Sequence, residues 1–300
     1  MTKTFKFITF FLIFSTSLSY ANLRFASYNI RNFDYDERSN TPTNKSHLVR
    51  TIQSLKSDLI AVQEINDTDE FERMISTQFK GKYKAVLSMC GGAHGQRLGF
   101  VYNVNKFRLI KFDEDLRLSN PSSPEQRNCN HGSRPLAIGV FNILNTNKKL
   151  VAMSLHLKSG GRPKNISKRF KQHNLLNTII NEYRSRKISN FVIMGDFNST
   201  EYIRNGEVKR KFDNSVKRMG LIDSTKNLKC SAYWWGGSQD SQQYPSMLDH
   251  ILISPSLITK RPKVESYGHC KKLSCRVTLE SQMGIGFDEV SDHCPLVTEL

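Results

Sequence analysis

The sequence predicts a mixed α/β fold in which strands outnumber helices, sheets contain antiparallel pairs, and helices lie outside. Three observations lead there. Eight short apolar runs of strand length are spread along the chain; helical patterns fall between only some of them; and the stretches 32–46, 113–134 and 236–247, rich in Asn, Ser, Gly, Pro and charge, read as loops. A doubly wound parallel sheet would need a crossover helix between successive strands, and several of these are missing.

In chain order, the runs LRFASYN (23–29) and LIAVQE (59–64) flank a helical pattern at 45–55, where Leu48, Ile52 and Leu55 share one face. LGFVYN (98–103), LAIGVFNI (136–143) and LVAMSLH (150–156) follow without such a pattern between them. Residues 165–187 set Phe170, Leu175, Leu176, Ile179 and Ile180 over a basic face, and lead into FVIMGD (191–196). A basic helical stretch at 207–220 precedes HILIS (250–254) and LVTEL (296–300). No repeat, low-complexity tract or linker divides the 300 residues, so one domain over 22–300 is expected.

The first 21 residues, MTKTFKFITFFLIFSTSLSYA, read as a signal peptide. Lys3 and Lys6 precede an apolar run from Phe7 to Phe14, and Ser19-Tyr20-Ala21 has the small-x-small form of a cleavage site. The run is shorter than the roughly 20 residues that span a bilayer, which argues against an anchor. A secreted or periplasmic protein beginning at Asn22 is expected, monomeric and without stable membrane association. Cleavage removes two lysines from a formal charge of +17 and leaves +15, a field that favours a polyanionic partner.

Six cysteines in an exported chain point to disulfides. Close spacing favours Cys90 with Cys129, and the partners of Cys230, Cys270, Cys275 and Cys294 stay open. No CxxC pair exists, so a zinc site is not expected.

Polar residues gather where the runs finish. Asn29 ends the first, Glu64 the second, His156 the fifth and Asp196 the sixth, with Asn198 just beyond; Asp249 opens HILIS, and Asp292-His293 precede the last run. Antiparallel neighbours place one strand's start beside another's end, so all of these can share one edge. Oxygen donors suit a hard cation such as Mg²⁺, and two histidines beside them supply acid–base chemistry near neutral pH. Each alone is an ordinary turn residue. The ordered set SYNIRNF, QE, SLHLKSGG, GDFN, LDHILIS and SDHCP is far more specific.

In that set the chain resembles the endonuclease/exonuclease/phosphatase superfamily, the group of pancreatic-type deoxyribonucleases, across nearly all of residues 23–300 and in particular its secreted bacterial nuclease branch. The resemblance implies a four-layered α-β-β-α sandwich with the active site at one edge, and a Mg²⁺- or Mn²⁺-dependent phosphodiesterase, with Ca²⁺ as a structural or auxiliary ion the remaining option. It implies Glu64, Asn29 and Asp292 at the metal, and Asp196 with Asn198 positioning water and the scissile phosphate. It further implies His293 as base, oriented by Asp249, and His156 as proton donor. Arg31, Arg134 and Lys158 would contact phosphate. Gln96 stands where relatives carry a glutamate that supports the first histidine, so a lower pKa than a glutamate would give is expected for His156.

The superfamily fixes chemistry better than target. Net charge favours DNA, with RNA as a further substrate, cut endonucleolytically with little sequence specificity. The alternatives are a sphingomyelinase-type phospholipid phosphodiesterase, whose membrane finger would be Tyr233-Trp234-Trp235, and a small-molecule phosphatase. A binding module that had lost its chemistry is disfavoured, because Glu64, His156, Asp196 and His293 are all present.

Overall fold

The computed structural model describes residues 23–37, 40–126, 129–199, 206–236 and 240–300, so the expected signal peptide lies outside the described residues. The apolar runs all form strands. The two main sheets use β1 (Arg24–Phe33), β2 (Leu59–Ile65), β3 (Tyr83–Leu87), β4 (Arg97–Asn103), β5 (Phe107–Asp115), β6 (Leu136–Ile143), β7 (Lys148–His156), β8 (Phe191–Asp196), β9 (Ile222–Asp223), β10 (Asp249–Ile253), β11 (Lys263–Ser266) and β12 (Leu296–Glu299). Their orders are β11-β12-β1-β2-β4-β3 and β9-β10-β8-β7-β6-β5.

Each sheet has one parallel pair near its centre, β1 with β2 and β7 with β8, and the pairs around them are antiparallel. The parallel pairs are joined by α1 (Lys45–Leu55) and α3 (Pro163–Ser185), because parallel neighbours need a crossover. Both helices match their sequence patterns, as does α4 (Gly206–Arg218), which covers most of 207–220.

Period-two alternation sorts side chains into layers. Phe25, Leu59, Phe100, Phe141, Leu150, Val192, Met194 and Ile251 fill the space between the sheets. The alternate residues Ala26, Tyr28, Ile30, Ile60 and Val62 pack outward on Leu48, Ile52 and Leu55 of α1 and on Phe71 and Ile75 of α2 (Thr68–Gln78). On the other flank Val151, Met153, Leu155 and Ile193 meet Leu176, Ile179 and Ile180 of α3 and Phe212 of α4. The strands are therefore apolar on both faces, which is why they read as continuous runs, and the result is the expected α-β-β-α sandwich. Among the described residues no helix is long and apolar enough to cross a membrane.

The structure adds elements that the pattern hides. Helix α2 starts at Asp67, whose side chain accepts the Glu70 N–H at 2.9 Å, with Asp69 and Glu70 favourably placed in the first turn. Strand β5 is an edge strand whose apolar residues are broken up by Arg108, Lys111 and three acids, so no continuous run marks it, and it carries order to Asp115 within the expected 113–134 loop. The expected 236–247 loop contains a strand, Gln242–Ser246, paired with Ala232–Trp234 on one side and Thr278–Leu279 on the other. Its composition, QQYPS, hides this because the pairing rather than apolar burial holds it.

Three disulfides close the cysteines: Cys90–Cys129 as expected, Cys230–Cys275 and Cys270–Cys294. The last two staple the excursion that carries Asp249 and His293, around a small cluster of Tyr233, Met283 and Phe287. With loops of 24 to 45 residues, reduction is expected to lower unfolding free energy by on the order of a few kcal/mol. Thermal melts with and without reductant, thiols titrated in parallel, measure this; an unchanged melt of fully reduced protein would refute it.

Candidate active site

Three strands of the second sheet deliver side chains in one row. Asp196 at the end of β8 pairs with His156 at the end of β7 on one side and with Asp249 at the start of β10 on the other. Neighbours in register project to the same face, so the three polar groups converge. Gly195 makes the approach close: its φ is +142°, and a Cβ there would lie 2.0 Å from the Leu155 carbonyl oxygen. Only glycine fits before Asp196.

The first sheet brings Glu64 by a different device. The ladders of β2 shift register on both sides, between Asn29 and Phe33 of β1 and between Val62 and Ile65, and Glu64 adopts φ +62°. Such an irregularity re-aims a side chain. Glu64 thereby turns toward the second sheet, and its Oε1 lies 3.5 Å from His156 Nδ1. Below it Gln63 Nε2 donates to Ser154 Oγ at 3.0 Å, a buried polar tie between the sheets.

A continuous network results. His156 Nε2 lies 3.2 Å from Asp196 Oδ2, His293 Nε2 lies 3.8 Å from the same oxygen, and His293 Nδ1 lies 2.7 Å from Asp249 Oδ2. The Asn198 N–H donates to Asp196 Oδ1 at 2.8 Å, and Asn198 Nδ2 to the Leu157 carbonyl at 3.2 Å. Asp292 is half-exposed beside His293. Ser231, which sequence reasoning did not single out, fixes Asp249: its Oγ accepts the N–H groups of Leu248 and Asp249, each at 2.9 Å. Ser291 Oγ likewise accepts the His293 N–H at 3.0 Å. Serines are too common as turn residues to have been found from sequence.

Three expectations change. Asn29 donates from Nδ2 to Glu64 Oε1 at 2.9 Å while its Oδ1 accepts the Arg31 N–H at 3.0 Å, so it orients the carboxylate instead of presenting its own oxygen to a metal. Arg31 gives its guanidinium to the carbonyls of Phe287 and Asp288, at 3.0 and 2.7 Å, and braces the C-terminal segment; it is not aimed at a substrate phosphate. Gln96 does not reach His156. Its Nε2 donates to Glu64 Oε2 at 2.7 Å and Asn32 Oδ1 at 2.6 Å, and its Oε1 accepts from Arg134. An amide there can serve donors and acceptors at once, which a glutamate could not.

The electrostatics separate the titrating groups. Burial pushes the Asp196 carboxyl up to about 7, with the charges of Asp249 and Glu64 adding to the rise against the opposing pull of His293 and the Asn198 N–H. Burial, then the positive charges of Arg134, His293 and Lys158, hold His156 well below the ordinary histidine range. Burial opposes charge on His293 too, but the charge and hydrogen bond of Asp249, with the charges of Asp196 and Asp292, together raise that histidine well above the ordinary value.

The chain is similar to known proteins over most of its length. The model of the Endonuclease/Exonuclease/phosphatase family matches residues 26–293. No curated protein matches the sequence at a significant level. Similar solved structures include a Bacteroides thetaiotaomicron mannosyl-6-phosphatase, at 19% identity and TM-score 0.61, covering 93% of this chain and 99% of that one. The human Nocturnin catalytic domain with bound sulfate has 18% identity and TM-score 0.60, covering 93% of each chain. TDP2 of D. rerio with a single-strand DNA product has 16% identity and TM-score 0.61, covering 93% and 98%. At such identities the likeness is one of fold.

Proposed function

The chain belongs to the endonuclease/exonuclease/phosphatase family, and from that premise we propose that it is an exported, Mg²⁺-dependent nuclease that hydrolyses DNA phosphodiesters, and RNA as well, with little sequence specificity. One observation carries the choice of substrate: a formal charge of +17 whose members Arg134 and Lys158 act directly on the site histidine His156. A polymer with a phosphate at every step meets that field best.

The donor set fits a hard divalent cation. Glu64 and Asp292 offer partly exposed carboxylates next to Asp196 and Asp249, and the like charges around Asp196 already raise its pKa. Glu64 and Asp292 would hold the ion, which when bound neutralises charge on the phosphoryl oxygens. Asp196 and Asn198 orient the attacking water and the phosphate. The protonation states favour exchanging the roles expected of the histidines. His156, kept neutral, is able to accept a proton; His293, kept charged by Asp249, is able to give one to the leaving oxygen.

One observation speaks for a phospholipid phosphodiesterase: Trp235 is 57% exposed, whereas Tyr233 is packed. Incubation with supercoiled plasmid, single-stranded RNA and sphingomyelin vesicles, each with Mg²⁺ or with EDTA, decides. Plasmid nicking that requires Mg²⁺ is expected; vesicle hydrolysis without nicking would sink the nuclease reading.

A further inference from the structure

The loop leaving His156 and the first turns of α3 carry Lys158, Arg162, Lys164, Lys168 and Arg169 and no acid over residues 158–169. We propose that Lys158, Lys164 and Lys168 form a second phosphate subsite, which holds the backbone phosphate adjacent to the scissile one and makes the enzyme prefer oligonucleotides to isolated diesters; this rests on the nuclease reading.

The loop is built into the helix. Gln172, buried on the inner face of α3, accepts the Lys158 N–H at 2.9 Å and donates to the Leu118 carbonyl at 2.9 Å. Fully buried Arg169 donates through one nitrogen to the carbonyls of Lys158 and Gly160, at 2.6 and 3.2 Å. Gly160 turns the chain at φ +95°, and a Cβ there would come 2.7 Å from Asn165 Nδ2. Lys158, two residues from His156, is thus fixed to the element that bears Lys164 and Lys168, which lie four residues apart on one face of α3.

The charges in this cluster are not balanced by acids. The charged groups acting most on Lys158 are Arg134, Lys168, Arg169 and Lys164, all cationic, and with burial they lower its pKa. Among the described residues none of the three lysines has a carboxylate partner. Helix α3 has no acid in its first turn, whereas α2 has Asp69 and Glu70 there with Asp67 as cap. Like charges gathered on a helix destabilise it, so a fold selected for stability alone would place acids here. An external polyanion is the partner that neutralises the cluster, and Lys158, whose charge acts on His156, links that cluster to the site.

The test compares the thymidine dinucleotide, with one phosphate, and the trinucleotide, with two, in wild type, in Lys164→Ala/Lys168→Ala, and in Lys217→Ala/Lys226→Ala, which removes equal charge from the exposed surface of α4 and its following loop. The wild-type preference for the trinucleotide in kcat/KM is expected to fall roughly tenfold in the first variant, mainly through KM. The salt slope of binding to a ten-nucleotide single strand in EDTA is expected to fall by about 1.4 in the first variant and to stay unchanged in the second. An unchanged preference and slope in a variant that melts like wild type, or equal losses in both variants, overturn the subsite alone. Wild type that cleaves no nucleotide substrate overturns the nuclease reading and the subsite with it.

Discussion

Asp196→Asn lowers kcat on plasmid or oligonucleotide substrates by about 10³-fold or more, and at the same time raises the melting temperature of the metal-free protein at pH 8. Both effects follow from one geometry. The carboxylate sits 2% exposed, 3.2 Å from His156 Nε2 and in register with Asp249, at the point where water and phosphate would be held. Replacing it with an amide keeps the shape and the acceptor for the Asn198 N–H but removes the charge.

The stability sign is worked out from its pKa, raised from 3.8 to about 7. A carboxyl that ionises less readily when folded penalises the folded state above its unfolded value. The penalty is absent at pH 4, grows between pH 4 and 7, and is full at pH 8, where it is on the order of a few kcal/mol. Melting curves of wild type and Asp196→Asn in EDTA should therefore converge at pH 4 and separate at pH 8. A variant that melts lower than wild type at pH 8, or that retains activity with Mg²⁺, contradicts this account.

Asp249→Asn should lower kcat roughly 10²- to 10⁴-fold, and the residual activity should lose its alkaline limb at lower pH. Asp249 raises His293 above the ordinary histidine value through a 2.7 Å contact, against burial that pulls the other way. With an amide in place, burial is opposed only by the charges of Asp196 and Asp292, and His293 loses its proton sooner. If His293 is the donor to the leaving oxygen, activity fails as pH rises through its pKa, so that limb moves down. Stability moves with it: the pair's contribution is complete below pH 6.5 and disappears as pH rises through the raised pKa, so the variant is destabilised most at acid and neutral pH. A pH–rate profile with an unmoved alkaline limb would show that His293 is not the group that donates.

The fold and the membership of the site were largely legible in sequence because both depend on local pattern. Eight apolar runs became strands, since residues buried on both faces must be apolar all along. His156, Asp196, Asp249 and His293 could be placed at one edge because each ends or opens such a run. Strand β5 was not legible, as charged residues interrupt its apolar ones along an exposed edge. Gln242–Ser246 escaped for a different reason, being a central strand held by pairing on both sides and not by apolar burial.

What the tertiary structure alone decided is which polar group meets which. Arg31 and Gln96 carry the residue types of substrate and histidine contacts, yet one braces the carbonyls of Phe287 and Asp288 and the other serves Glu64, Asn32 and Arg134. Glu64 is aimed by a break in strand register that no side-chain alternation announces. His156 and His293 are chemically identical in sequence, and they part only because one is buried among cations and the other against Asp249. Apolar burial is additive along a strand and can be read there; charge is settled by distances between strands far apart in the chain.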